Sequence, residues 1–190
     1  MQLENPVYNG FCGVTLPDAI RTCLRKYATF SGRAPRSEYW WFALFVFLGS
    51  FVFSLIDAAL FGTGTAEVDA SPAQPLTGLF QLAMLIPILA AGWRRMHDTG
   101  RPGWFVLLPM LAAVGGLFFL LVGIGGFGLA ERAGADAGIL AQLAAIFGGT
   151  GMLVLVIAQI VLSLLLLWWL TRPSEPAANR YGPPPLEVTQ

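Results

Sequence analysis

The chain has 190 residues, 56 % of them hydrophobic and only 12 % charged, and its 11 basic and 11 acidic side chains cancel. Soluble domains average about 45–50 % apolar and about 25 % charged, so the composition excludes an ordinary soluble globular protein and points to a membrane protein. With no basic surplus the chain is not expected to bind nucleic acid, and with a single histidine it implies neither a metal nor a cofactor.

Residues 1–36 read as a polar amino-terminal segment. Within it, TLPDAIRTCLRKYATF places Ile20, Cys23, Leu24 and Tyr27 at i, i+3, i+4 and i+7, with Arg21, Arg25 and Lys26 elsewhere and Thr15 and Asp18 in capping-box-like spacing. This pattern predicts an amphipathic helix lying on the inner leaflet. Met1 to Phe30 lacks the uninterrupted apolar run of a cleavable signal peptide, which leaves insertion to the first span. Cys12 and Cys23 have no histidine beside them and fall on the reducing side, so both are expected as free thiols.

Residues 37–171 contain four stretches that meet the requirement of about 20 apolar residues for crossing a hydrocarbon core. They run at about 39–61, 75–93, 103–126 and 151–170. Asp57 is the only carboxylate inside them, and Gln81 and Gln159 are the other polar residues singled out. An ionisable group within a span is a functional candidate by default, so these three define a conceivable polar path, although interhelical hydrogen bonds account equally for the glutamines. Pro87 and Pro109 fall inside the second and third spans and predict kinks. GIGGFG at 123–128 matches the letters of a dinucleotide fingerprint but ends a span instead of joining a strand to a helix. It reads as close packing or a helix break. GILAQLAAIF, with Ile139, Leu140, Leu143, Ile146 and Phe147 at helical spacing, predicts a short outer helix or an early start to the fourth span.

Charge sets the orientation. Ten basic residues (Arg21, Arg25, Lys26, Arg33, Arg36, Arg94, Arg95, Arg101, Arg172 and Arg180) lie on one side of the spans, and Arg132 alone lies on the other. By the positive-inside rule both termini are cytoplasmic, and tryptophans 40, 41, 93, 104, 168 and 169 mark that same interface. The tail, residues 172–190, is proline-rich and polar and reads as extended or disordered.

Two segments on the basic side carry the chemistry: FSGRAPRSEYWW before the first span and WRRMHDTGRPGW between the second and third. They gather Arg33, Arg36, Glu38, Arg94, Arg95, His97 and Asp98 at one membrane depth. One reading is structural: the arginines pair with Glu38 and Asp98 and with lipid phosphates, because unpaired charge at the interface is costly. A second adds a ligand, since an arginine cluster with a histidine suits a phosphate or carboxylate group. A third makes His97 a general base, but adjacent helical positions point about 100° apart, which favours pairing of Asp98 with an arginine one turn away. No nucleophile or metal-ligand set accompanies His97, so a non-enzymatic protein is expected.

FSGRAPRSEYWW, RRMHDTGRPGW and the tail segment NRYGPPP resemble, in that order, signature segments of the DUF805 family of small bacterial inner-membrane proteins. The resemblance implies a four-span inner-membrane protein and supplies no activity. The resulting expectation is an all-α, polytopic four-transmembrane-helix bundle with an amino-terminal interfacial helix. Its expected partners are anionic membrane lipids, a membrane-protein partner or a second copy, and its leading function is binding an anionic lipid, small anionic ligand or protein through the arginines. The alternative is a small transporter or channel with a path through the bundle.

Overall fold

The computed structural model describes residues 14–62, 74–133, 138–139, 143 and 151–185. Cys12, residues 63–73 and most of the GILAQLAAIF segment lie outside them. Most of the described residues are helical, and among them one isolated antiparallel bridge joins Asn179 to Gly182. Four helices are long and apolar enough to cross a membrane. They fall into two compact units, Met1–Gly103 with Arg172–Gln190, and Trp104–Thr171.

The first unit contains α1 (Leu16–Arg25), α2 (Arg36–Phe61) and α3 (Pro75–Asp98). α1 forms where the periodicity places it, with Pro17 in the first turn where a missing N–H is harmless. Thr15 Oγ1 donates to the Asp18 carboxylate at 2.5 Å, so the expected cap interaction is a side-chain pair and no capping bond to the backbone is made. α1 packs on α2 and α3 through Ala19 and Cys23, leaving Leu24 and Tyr27 exposed.

α2 and α3 pack on each other around Cys23, Phe42 and Ala91, with Tyr39, Phe45, Val46, Met84 and Ile88 against that cluster. Their approach is close at Gly49, where any Cβ would sit 2.5 Å from the Phe80 ring. Pro75 opens α3 at a position that needs no donor, and Asp57 of α2 caps it. Pro87 is inside α3 and buried, as expected. Its ring nitrogen cannot donate to the Ala83 carbonyl four residues back, and the Tyr27 hydroxyl donates to that carbonyl instead, at 2.5 Å.

A 3-10 turn at Gly103–Leu107 opens the second unit, which contains α4 (Leu108–Ala133) and α5 (Gly151–Thr171), with α4 packed on α5. Phe105 stacks on Trp169 with centroids 5.2 Å apart, and Gly151 lies against the Phe119 ring. Two sequence expectations are corrected here. Pro109 does not kink a helix interior, because the 3-10 turn occupies the preceding residues and places it in the first turn of α4. GIGGFG does not break a helix, because α4 runs through it to Ala133. A Cβ on Gly125 or Gly128 would meet nothing within 4 Å.

Candidate functional site

α3 does not stop at Trp93; it continues through the charged residues to Asp98, so the charged run is the last turn and a half of a helix and not a loop. It ends in a Schellman motif: the Arg101 N–H bonds to the Met96 carbonyl at 3.0 Å and the Gly100 N–H to the His97 carbonyl at 3.1 Å. Gly100 takes φ 71°, the left-handed conformation that this motif requires and that glycine adopts without penalty. Helical spacing then decides the pairing. Arg95 and Asp98 stand three residues apart on one face and form an ion pair, as the geometry of adjacent positions demands.

Asp98 is the hub. One carboxylate oxygen accepts from Arg33 Nε at 2.9 Å and the other from Arg95 Nη1. Arg94 points to the other side and donates to Glu38 at 2.6 Å, from the first turn of α2. Arg94, Arg95 and Asp98 are at most 1 % exposed, and Arg33 and Glu38 are buried beside them. The Ala34 N–H bonds to the Arg94 carbonyl at 3.1 Å and ties the segment before α2 to the end of α3.

Three buried guanidinium groups face two buried carboxylates, and the shortfall is met by backbone from the tail. Arg33 donates to the carbonyls of Glu175 at 2.5 Å and Ala177 at 2.8 Å. Arg95 donates to the Arg172 carbonyl and, at 3.4 Å, to Ser174 Oγ. The tail in turn closes the end of α3: the Glu175 N–H bonds to the Asp98 carbonyl at 3.1 Å, and Asn179 Nδ2 donates to the His97 carbonyl at 3.0 Å and to Glu175 Oε2 at 2.8 Å. The Asn179–Gly182 bridge turns the chain so that Tyr181 stacks on the His97 ring, 3.7 Å between centroids and 4° between planes, and the Arg180 guanidinium carbon lies 4.7 Å from the centroid of the Tyr181 ring.

His97 is therefore clasped. Its Nδ1 lies 3.1 Å from the Gly32 carbonyl, which fixes the proton on that nitrogen. Both Asp98 oxygens are engaged by arginines, and the His97 Nδ1 faces the Gly32 carbonyl instead. Among the described residues no group of three His, Cys, Asp or Glu side chains gathers to hold a metal.

Cys23 of α1 lies against the Arg94–Glu38 pair, its thiol 3.7 Å from Glu38 Oε1 and 3.8 Å from Arg94 Nη2. Burial, and secondarily the Glu38 carboxylate, push this thiol up from 9.0 to about 12. It is a free cysteine and an inert one.

Of the residues expected at the site, Arg33, Glu38, Arg94, Arg95, His97 and Asp98 are brought together, and Arg36 is exposed at the start of α2. The polar-path residues have other assignments. Asp57 accepts from the Leu76 N–H at 3.1 Å and from the Thr77 N–H and hydroxyl at 2.8 Å each, which makes it the amino-terminal cap of α3. Gln81 is exposed on α3, and Gln159 belongs to the second unit. Sequence reasoning missed the tail. Its signals were Asn179 and Gly182 spaced for a turn, with an aromatic residue between them.

The chain matches the family model described as protein of unknown function (DUF805) over residues 27–131. Inner membrane protein YhaH of Escherichia coli K12 is 35 % identical over 98 residues, which cover 52 % of this chain and 77 % of that protein. Inner membrane protein YhaI of the same organism is 36 % identical over 98 residues, 52 % of this chain and 75 % of its own. No solved structure matches the chain. The family match contains both arginine motifs and leaves the tail outside it.

Proposed function

The chain belongs to the DUF805 family, and from that premise we propose a non-enzymatic integral inner-membrane protein with both ends in the cytoplasm. In it the buried arginines act as a staple, and the exposed basic residues bind anionic lipid headgroups. One observation carries the reading: Arg33 and Arg95 are already matched by Asp98 and tail carbonyls, and Arg94 is ion-paired to Glu38 with only its buried Nε left over, so an anion would have to displace those partners. Breaking a buried pair by removing one partner costs about 3–5 kcal/mol, more than a single surface anion contact returns. Among the described residues of the first unit, the exposed charged ones are Arg21, Arg25, Lys26, Arg36, Arg172 and Arg180. No described carboxylate of that unit is exposed. A basic surface of this kind gains about 1 kcal/mol per residue from an anionic leaflet.

The test is native mass spectrometry of protein taken from nanodiscs containing phosphatidylglycerol. Three proteins are compared: wild type, the Arg36→Gln/Arg180→Gln double variant and Arg95→Met. Retained lipid should fall several-fold in the double variant and hold in Arg95→Met, provided circular dichroism shows the latter helical. Loss in Arg95→Met alone, with the double variant unchanged, would return ligand binding to the buried cluster.

A further inference from the structure

The tail covers the most charged part of the first unit without burying anything of its own. Among its described residues, 172–185, none is buried, yet Arg95 and Asp98 beneath it are fully buried, and Arg33 and His97 are 9 % and 7 % exposed. What holds the tail there is polar contact and one ring stack. The Glu175 N–H sits on the Asp98 carbonyl, the Asn179 amide on the His97 carbonyl, and Tyr181 on the His97 ring. A segment attached in this way can lift as a unit, because water replaces its hydrogen bonds and little apolar surface is uncovered.

Lifting it changes the arginines more than it changes the tail. Arg33 Nη1 loses the carbonyls of Ala177 and Gly182, Arg33 Nη2 that of Glu175, and Arg95 Nη2 that of Arg172. Both ion pairs with Asp98 stay, so the hub itself is kept. Two guanidinium groups then share one carboxylate, which leaves one positive charge and a set of freed N–H donors. Because both groups grip the same carboxylate, those donors stand side by side. A phosphate group suits them: it carries the missing negative charge and sets its oxygens tetrahedrally around one centre, whereas a planar carboxylate offers two oxygens in one plane. The hub closes the inner end of the α3 span, a depth that lipid phosphodiesters and soluble phosphates both reach.

We propose that Arg33 and Arg95 form a phosphate-binding site which the tail keeps closed, its backbone carbonyls standing where phosphate oxygens go. Tail and phosphate compete, and the site binds only when residues 172–185 lift away. The carboxylates stay in place throughout, so no buried ion pair is broken. This goes beyond lipid binding by the exposed basic residues, which requires no movement of the tail.

Full-length protein in dodecyl maltoside, stripped of lipid, tests it with two probes at constant ionic strength: inorganic phosphate, and dihexanoyl-phosphatidylglycerol below its micelle concentration. Asn179→Ala/Tyr181→Ala removes two side-chain attachments of the tail and leaves Arg33, Arg95 and Asp98 untouched. Calorimetry should show at least one probe binding about tenfold more tightly to this loosened variant than to the wild type, at about fivefold for the hydrogen bond and about twofold for the stack. Adding that probe to the wild type should quicken trypsin cleavage after Arg180, because the bound phosphate holds the tail in its lifted state. Arg33→Gln in the loosened variant keeps the Arg95–Asp98 pair and should cancel the gain. A gain with inorganic phosphate alone assigns a soluble ligand, and a gain with phosphatidylglycerol a lipid headgroup. Equal affinity of the wild type and the loosened variant for both probes would overturn the proposal and leave lipid binding by the exposed residues standing. So would a gain that survives Arg33→Gln, or cleavage after Arg180 that neither probe quickens.

Discussion

In the first unit, 28 % of the apolar stretch of α3 is buried and its last turn and a half disappears into ion pairs; in the second, the corresponding stretch leading into α4 has no buried residue. The first is held by polar groups at both ends, Asp57 capping α3 at one and Asp98 gathering two arginines at the other. The second is held by apolar shape and ring stacking such as Phe105 on Trp169. In lipid an apolar contact can be exchanged for a lipid contact at little cost, whereas a buried hydrogen bond or ion pair has no substitute. Helix pairs held by polar staples are accordingly fixed in geometry, and apolar pairs leave surface for other occupants.

Cutting the hub of the first unit should break this contrast most sharply. Asp98→Ala leaves Arg33 and Arg95 buried without their carboxylate and should cost about 3–5 kcal/mol, read as a lowered unfolding midpoint in detergent with loss of hydrogen-exchange protection over the tail. Asp57→Ala should cost about 1–2 kcal/mol by uncapping α3, and its exchange signature should be confined to the first turn of that helix. Tyr27→Phe removes the donor that covers the Ala83 carbonyl and should cost about 1 kcal/mol, a smaller shift in the same unfolding assay.

The mildest probe is Cys23. Its folded-state value of about 12 lies above the ordinary 9.0, so the fold favours the protonated thiol. The associated stability is complete below pH 9 and is lost as pH rises from there toward 12. Alkylation of Cys23 in the folded protein should therefore lag far behind that of an unfolded control at pH 8, and Asp98→Ala should narrow the gap only if the staple and the α1 contact unfold together.

The four spans, the amphipathic α1 and the membership of the arginine motifs in one cluster were all legible, because apolar length, 3.6-residue periodicity and charge placement are local properties of the chain. The end of α3 was misplaced at Trp93 because a charged run looks like a loop when hydropathy alone is read; Gly100 was the marker of the true end. Pro109 was placed in a helix interior because the sequence does not announce the 3-10 turn before it. Asp57 looked like a functional carboxylate until α3 placed two backbone N–H groups and a hydroxyl around it.

Sequence by itself determined that this protein lives in a membrane and which side chains meet at its basic face, since burial cost and charge asymmetry act residue by residue. Only the tertiary structure decided how those side chains are used. Whether Arg33 and Arg95 await a ligand or are already satisfied depends on where a tail, 142 to 149 positions from Arg33 and 77 from Arg95, places its carbonyls. Backbone acceptors carry no signature in the side-chain alphabet, so their arrival is visible only once the chain has folded back.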